Sequence, residues 1–370
     1  MAMPKIDFKK LNIGQLKSSL QQLSHLNSPK NTESEVHRTI GLNIGRANLI
    51  AVEVAWHDKQ PVLERLGRIQ IAQGQNLSDQ IKHFFTQMGF KSRRVSVSLK
   101  GQGVVVRFLS FPKMSRADFS SSIRYEAEKY LPFSLSEVNF DYQILNEINN
   151  SSGEAATMNI ILVAARKTEV DHLLQVLQGA GLKPDLIDVD ILACANAFVQ
   201  STPEIKEQCV GILDLGAIDS SFGIVDKGSL VFSRDIAFGG ADLTEAIHRK
   251  LNVSPEEAFN LQAKLDVNAA EKIAVITEGI SRLFQEIKSS ITYYYNQRQT
   301  EIPLDAIYLS GGFSQLSILP KLLQAQVEVP IKTWNPTSQM KIGEEVDKKV
   351  LTELIPYLPV SIGLAIRPRS

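Results

Sequence analysis

The chain has 370 residues, enough for two domains that each bury a core, so a single small domain is excluded. Its 40 Lys and Arg residues balance 40 Asp and Glu residues, which predicts no overall field attracting nucleic acid or an anionic membrane. Two cysteines without a CxxC spacing favour a reducing, cytoplasmic compartment, and six scattered histidines argue against metal catalysis. No apolar run approaches the roughly 20 residues needed to span a bilayer, so we expect any membrane association to be indirect.

Residues 1–36 differ in pattern from the rest of the chain. Four apolar residues follow a three-and-four spacing that predicts an amphipathic helix: Ile13, Leu16, Leu20 and Leu23. The polar stretch 28–36 then predicts a linker. A helix that packs back on the body and a helix that docks to a partner or a membrane surface are both open interpretations.

From Arg38 the chain has the strand and helix patterns of a continuous α/β protein. We predict three strands, an amphipathic helix and another strand over 40–44, 49–55, 62–71, 77–88 and 94–100. Residues of about 104–185 then predict strand, helix, strand, strand, helix and strand, which we interpret as a compact α+β insert. In its first helix, Ser115 is the predicted cap and Asp118 occupies the capping-box position.

The second half repeats the opening pattern, because three further strands are predicted at 210–215, 221–225 and 230–236. A helix over 242–251, a second helix capped by Ser254 and one long helix over 270–297 follow. The chain ends with a strand, a Gly-Gly turn and a helix over 305–326. We therefore divide the chain into an N-terminal extension, a first domain, an insert and a second domain with a helical part at about 242–300. Their bounds are 1–36; 37–104 with 186–207 and 345–370; 105–185; and 208–344.

One strand–turn–strand unit occurs twice, as TIGLNIGRANLIAVEV (39–54) and VGILDLGAIDSSFGIV (210–225). Aligning Asn43 with Asp214 also aligns Gly45 with Gly216. Glycine lets backbone amides approach a ligand, the arrangement that holds phosphates, although hairpins also use glycine for turn geometry alone. Two copies in register favour a clamp for a nucleotide. The candidate cofactor-binding residues are Asn43, Gly45, Arg46, Ala47, Asn48, Asp214, Gly216, Ala217, Ile218, Asp219, Gly239, Gly240, Gly311, Gly312 and Phe313.

The order of the segments GLNIG, LDLG and LSGG resembles the actin, Hsp70 and sugar-kinase ATPase fold, which implies two related domains closing on ATP and Mg²⁺. Four stretches are also similar to the PilM family of actin-like type IV pilus assembly proteins: 121–145, 161–190, 239–247 and the ending IGLAIR at 362–367. The resemblance covers about 38–367. It implies an α/β, actin-like (duplicated ribonuclease H-like) two-domain fold with an FtsA-type 1C subdomain as the insert.

The same resemblance implies partners and a location. It implies binding to the cytoplasmic N-terminal peptide of a PilN-type inner-membrane protein, communication with pilus motor ATPases, and a cytoplasmic position at the inner face of the inner membrane. It leaves a homo-oligomer open and implies no nucleic acid. The candidate peptide-binding residues are apolar or aromatic, and a core role is an equal alternative for each: Tyr125, Tyr130, Leu131 and Phe133.

The chain departs from the family pattern at the first phosphate loop, where Asn43 replaces the usual Asp and Arg46 replaces a small residue. An Asp would help to hold Mg²⁺ through water, whereas Asn only forms hydrogen bonds. Asp214 is then the candidate catalytic residue and the candidate magnesium contact through water. Asp190 is a second catalytic candidate, with a cap of the helix at Ile191 as the alternative.

Phosphoryl transfer relies on positioning and electrostatics, so the loss of a magnesium-organising carboxylate lowers the expected rate. Residues 258–262 also lack the acidic residue and the lysine that relatives direct toward the ribose and base. We therefore expect a scaffold that binds ATP weakly or not at all, with hydrolysis weak or absent. The alternatives are an active ATPase or small-molecule kinase, and an FtsA-like membrane-associated filament.

Overall fold

The computed structural model describes residues 37–57, 60–148, 156–263, 270–298 and 303–367. The helix and linker predicted over 1–36 lie outside these residues. The strands are β1 His37–Ile44, β2 Asn48–His57, β3 Gln60–Gln70, β4 Arg94–Leu99, β5 Val104–Pro112, β6 Val138–Ile148, β7 Thr157–Arg166, β8 Lys183–Val189, β9 Cys209–Leu215, β10 Ser220–Asp226, β11 Ser229–Ile236, β12 Ala306–Ser310, β13 Ile331–Thr333 and β14 Lys341–Ile342. The helices are α1 Leu77–Gln87, α2 Arg116–Glu128, α3 Lys167–Gly179, α4 Asp190–Ser201, α5 Gly240–Leu251, α6 Pro255–Ala263, α7 Ala270–Gly279, α8 Ser281–Arg298, α9 Leu319–Val327, α10 Lys348–Leu354 and α11 Pro359–Ile366.

Two sheets repeat one topology. The first sheet has the order β14-β3-β2-β1-β4-β8, and the second has the order β11-β10-β9-β12-β13. In each, three consecutive antiparallel strands are followed by a parallel strand that pairs with the first of the three, β4 with β1 and β12 with β9. The duplication predicted from the repeated strand–turn–strand unit is therefore confirmed at the level of whole sheets.

Helices α4 and α11 lie between the two sheets, in one apolar cluster that joins Ile50 and Val52 of the first sheet to Val210 and Ile212 of the second. Every residue of α11 is buried, which its almost entirely apolar sequence explains.

Two glycines let α11 approach its neighbours this closely. A Cβ at Gly363 would stand 1.8 Å from the carbonyl oxygen of Ala193 on α4, and a Cβ at Gly41 of β1 would stand 1.8 Å from the carbonyl oxygen of Ser361. The helix is also tied to the first sheet by the Thr39 hydroxyl, which donates to the carbonyl of Ala365 at 2.6 Å. These contacts fix the position of α11 between the sheets.

The outer face of the first sheet is covered by α1 and α3. Phe84 and Phe85 of α1 and Leu177 of α3 are fully buried in one cluster with Leu42 and Val97 of the sheet. The amide of Asp79 donates to the Asn76 side chain at 3.3 Å and caps the start of α1.

The insert is smaller than predicted. Its sheet has the order β5-β7-β6, with α2 packed on it through Phe119 and Ile123. Helix α3 packs on the first sheet, and β8 pairs in parallel with β4, so both belong to the first domain and not to an insert that extends to 185. Strand β14 pairs with β3, so the chain also returns to the first domain before 345.

Some of the local predictions are confirmed and one is wrong. The caps at Ser115 and Ser254 are confirmed, since each hydroxyl accepts a hydrogen bond from the amide three residues later at 3.1 Å.

The prediction of a single long helix over 270–297 is wrong, because α7 ends at Gly279 and α8 begins at Ser281. Gly279 packs against α5, where a Cβ would lie 2.9 Å from the Leu243 side chain. The Gly-Gly turn leads into a short 3₁₀ turn, Gly312–Gln315, and α9 starts only at Leu319.

Among the described residues, no single helix combines the length and apolar character needed to cross a membrane. The bent helix pair Lys348–Tyr357 with Pro359–Ile366 has the length and the apolar composition of a membrane span. Its second half, however, is the buried helix α11.

The helix crossing gives the first testable prediction. Gly363→Ala places a methyl group on a backbone oxygen that cannot move without shifting α4, so we expect a loss of about 3 kcal/mol in the free energy of unfolding, measured by chemical denaturation. The control is Gly103→Ala, whose added methyl would meet only the flexible Glu169 side chain. A control that costs as much as Gly363→Ala would contradict the assignment.

Candidate functional site

The candidate site lies where parallel strands of both sheets end. In the first sheet β1, β4 and β8 run parallel, and Lys100 and Asp190 directly follow β4 and β8. In the second sheet β9 and β12 run parallel and place Ser310 beside Asp214. The carboxyl ends of parallel strands are where open α/β sheets bind ligands. Since Lys100 contacts Asp219, the two strand ends face each other across one cleft.

Two turns with the same hydrogen bond border this cleft. In the first turn, residues 45–48, the Gly45 amide donates to the Asn48 carbonyl at 3.0 Å. In the second turn, residues 216–219, the Gly216 amide donates to the Asp219 carbonyl at 3.2 Å. The repeated sequence thus builds the same backbone turn in both domains.

The two turns leave backbone donors available. The amides of Arg46 and Ala47 in the first turn, and of Ala217 and Ile218 in the second, find no acceptor among the described residues. Consecutive free amides in a turn form a concavity suited to an anion. The side chains of Arg46 and Ile218 are exposed.

Gly239 and Gly240, predicted as cofactor contacts, instead hold the second turn in place. The amides of Gly240 and Ala241 donate to the carbonyls of Gly216 and Ala217 at 3.1 and 2.8 Å, and the Gly239 amide donates to Asp242 at 2.8 Å. A Cβ at Gly239 would lie 2.6 Å from the Ala217 carbonyl, which explains the glycine. The start of α5 therefore has these amides engaged within the protein.

The third turn, residues 311–313, packs directly behind the second. Gly311 has a φ of +83°, and a Cβ there would lie 2.2 Å from the Leu215 carbonyl oxygen, so this position requires glycine. Its amide donates to the Pro356 carbonyl at 2.7 Å. Phe313 is buried beside Phe238, which makes it a packing residue of the second domain.

A stacked pair connects the third turn to the first. Arg68 donates to the Asn48 side chain at 3.0 Å, and its guanidinium lies 4.1 Å from the ring centre of Tyr357. A Cβ at Gly312 would lie 2.5 Å from that ring. The Asn48 side chain is therefore engaged by Arg68. Asn43 is half-buried, and its side chain forms no hydrogen bond with the described residues.

Lys100 is the centre of charge in the cleft. Its ammonium forms an ion pair with the Asp219 carboxylate at 2.9 Å and also contacts the Asp219 carbonyl at 3.4 Å. Burial by itself would lower the pKa of Lys100, but Asp214, Asp190 and Asp219 together raise it above its ordinary value. The lysine is thus charged at any physiological pH, in contact with the Asp219 carboxylate and within the electrostatic reach of Asp214 and Asp190.

Asp190 lies at this centre and is not a helix cap. The residue before α4 is Val189, which makes no side-chain capping bond, so the capping alternative is wrong. Asp190 is 8% exposed. Burial raises its pKa from 3.8 to about 6, against the opposing effects of the Lys100 ammonium and the Ser98 hydroxyl. The neighbouring Asp188 faces elsewhere, in an ion pair with Arg367.

Asp214 and Asp219 complete the acidic group. The Ser310 hydroxyl donates to the Asp214 carboxylate at 2.9 Å, and Asp219 is held by Lys100. The candidate catalytic residues Asp190 and Asp214 therefore lie in one region of the cleft, where both act on the charge of Lys100.

The described residues of the cleft supply no complete set of protein ligands for magnesium. No three acidic, His or Cys side chains in the described part of the chain could hold a metal ion together. Asn43 supplies no charge, and an ammonium ion already lies beside Asp219. A contact of Asp214 with Mg²⁺ through water stays a prediction.

The predicted partner residues lie apart from the cleft, on the insert. Tyr125 is 78% exposed and Tyr130 is 39% exposed, whereas Leu131 is buried in the core of the insert. Phe133 is half-buried under the Arg166 guanidinium, 4.3 Å from its ring centre. The two tyrosines and the Phe133–Arg166 pair are the members available to a partner.

Lys100 is a site residue that the sequence patterns did not reveal. The available signal was a charged residue at the end of an alternating strand pattern, followed by a glycine, Gly101. A lysine after a strand is common, so this pattern predicts a site only when the neighbouring parallel strands also end in polar residues.

Two turns at the facing carboxyl ends of duplicated sheets, with two helices crossed between the sheets, define an actin-like ATPase fold. Within that class the chain matches the family model of the type IV pilus assembly protein PilM over residues 41–369. The chain therefore belongs to the PilM family.

Three similar proteins illustrate the resemblance. The chain is 26% identical to a chain of the solved PilM-PilN type IV pilus biogenesis complex, with a TM-score of 0.77, covering 89% of this chain and 99% of that one. It is 28% identical to the cell division protein FtsA of Bacillus subtilis (strain 168) over 104 residues, which are 28% of this chain and only 23% of FtsA. MreB5 of Spiroplasma citri, solved with bound AMPPNP, is 13% identical with a TM-score of 0.48, covering 90% of this chain and 95% of that one.

The pKa of Asp190 gives a prediction for stability. Because its folded-state pKa lies above its unfolded value, the native protein loses stability as the pH rises from about 4 to about 6, and the loss is complete above that range. Asp190→Asn removes the ionisable group, so the variant should not lose this stability. The free energy of unfolding of the variant minus that of the unsubstituted protein should therefore be about 2 kcal/mol larger at pH 7 than at pH 4, measured by denaturant titration. A difference that stays constant over this range would contradict the burial of an ionisable Asp190.

Proposed function

We propose that this protein is a cytoplasmic adaptor of the type IV pilus inner-membrane assembly complex, which binds the N-terminal cytoplasmic peptide of a PilN-type membrane protein. The observation that carries the proposal is the 26% identity to a chain of a PilM-PilN complex, with 89% of this chain and 99% of that one covered. Pilus motor ATPases are proposed as further partners, reached through the same complex.

The insert is the proposed contact surface, and we infer that it corresponds to the 1C subdomain of FtsA. It projects aromatic side chains that no core requires, above all Tyr125 on α2. An extended peptide binds through a few apolar pockets together with backbone hydrogen bonds. Tyr130, Phe133 and Arg166 extend this surface with apolar area and one positive charge. Leu131 supports it from the core.

Peptide titration tests this surface. We expect Tyr125→Ala to weaken the binding of a PilN-type N-terminal peptide about tenfold, because exposed tyrosines at interfaces often carry much of the binding energy. The matched control is Tyr293→Ala, which removes another exposed tyrosine on α8 of the second domain. Isothermal titration calorimetry gives both affinities. Equal affinities for the two variants would place the peptide elsewhere, and no binding to any variant would remove the adaptor proposal.

We also propose that the cleft binds ATP but turns it over weakly or not at all. Free amides in both turns support binding of phosphates, and the replacement of an acidic residue by Asn43 argues against efficient hydrolysis. The adaptor role would then require no turnover of ATP.

Two measurements separate binding from turnover. Adding ATP should raise the melting temperature of the purified protein, because a ligand that binds only the folded state stabilises it. Phosphate release should stay at the level of a buffer control and should be equal in Asp214→Ala. A release rate that this substitution abolishes would show that the protein is an active ATPase.

A further inference from the structure

We propose that Lys100 is a phosphate-binding residue of the cleft, and that its ammonium takes the role of a divalent cation toward a nucleoside polyphosphate such as ATP. The inference rests on the proposed nucleotide binding and deepens it. It implies that the affinity for ATP depends on the positive charge of the Lys100 side chain.

The position of Lys100 supports this role. The residue follows β4, the strand next to β1, and its side chain reaches across to the second turn. There the ammonium contacts both the carboxylate and the carbonyl of Asp219, next to the free amides of Ala217 and Ile218. Lysine binds phosphate as a compact point charge, and turn amides complete such a site.

The described residues of the cleft provide an ammonium and no preformed set of metal ligands. Asn43 has removed one negative charge from the first turn, and no three acidic, His or Cys groups among the described residues could share a metal ion. A divalent ion near Asp219 would also be repelled by Lys100, 2.9 Å from that carboxylate. Lys100 is then the cation that lies at the second turn, where a polyphosphate would meet it.

Asp219 is the internal competitor for this ammonium. Asp214 is engaged by Ser310, and Asp190 is buried, so Asp219 is the carboxylate in direct contact with Lys100. A phosphate that enters between the turns would replace one anionic partner of the ammonium by another. Removing Asp219 and removing Lys100 must then change affinity in opposite directions, which a simple structural role of the ion pair does not predict.

The test uses isothermal titration calorimetry with ATP, in buffer with EDTA and in buffer with MgCl₂. For the unsubstituted protein we expect affinities that differ by less than about threefold between the two buffers. Lys100→Gln should bind about tenfold more weakly or worse, and Lys100→Arg should recover part of the loss, since a hydrogen bond to a charged group contributes about one to two factors of ten. Asp219→Asn should bind more tightly than the unsubstituted protein.

Competition identifies the recognised group. Inorganic tripolyphosphate should displace ATP from the unsubstituted protein, and adenosine alone should not. Displacement by adenosine only, binding that requires MgCl₂, or weaker binding by Asp219→Asn would each overturn the inference. Thermal unfolding of each variant shows that it is folded, and titration of Asp219→Asn still tests the inference if Lys100→Gln does not fold.

The same samples separate this inference from the adaptor proposal. Titration of the PilN-type peptide into Lys100→Gln should give the affinity of the unsubstituted protein, because Lys100 lies in the cleft and Tyr125 on the insert. Absence of ATP binding in both the unsubstituted protein and Asp219→Asn would overturn the role of Lys100, whatever the peptide does. Absence of peptide binding with ATP binding retained would overturn only the adaptor.

Discussion

The contact between α11 and α4 is the constraint on which the rest of the structure depends. Gly363 lies against the carbonyl of Ala193, and Gly41 of β1 lies against the carbonyl of Ser361. Because neither position has a side chain, the helices and the first sheet meet backbone to backbone. The second sheet then packs on the other side of the same two helices through one shared apolar cluster. This packing sets where the strand ends of the two domains face each other.

The charges in the cleft are poorly explained by stability alone. A buried ion pair gains little over apolar packing once desolvation is counted, and Asp190 ionises at a cost that its raised pKa reports. Three carboxylates that act on one ammonium form the kind of perturbed cluster that is frequent at functional sites. Strongly perturbed groups occur at binding sites because those sites need charge in places that folding disfavours.

The backbone geometry of the cleft also distinguishes donors that are free from donors that are used. The start of α5 resembles an anion site in sequence, with two glycines before a helix, but its amides already pair with the second turn. The two repeated turns keep their outward amides open. Both glycines are required by internal contacts, since a Cβ would lie 2.6 Å from the Ala217 carbonyl at Gly239 and 2.3 Å from the Asp219 carbonyl oxygen at Gly216. Only the hydrogen-bond partners separate the two cases.

Local patterns determined much of this protein. The alternating strands, the caps at Ser115 and Ser254, and the repeated turn with Asn43 in place of an Asp follow from periodicity, capping chemistry and alignment within one chain. The tertiary structure decided the limits of the insert, the break after Gly279 and the surroundings of Asp190, because each depends on a packing partner far along the sequence. It also decided the surroundings of Lys100, whose partner Asp219 lies 119 positions away in the other domain. A sequence pattern encodes which residues are apolar and where the chain turns; which charges meet across a cleft is set by how two helices cross.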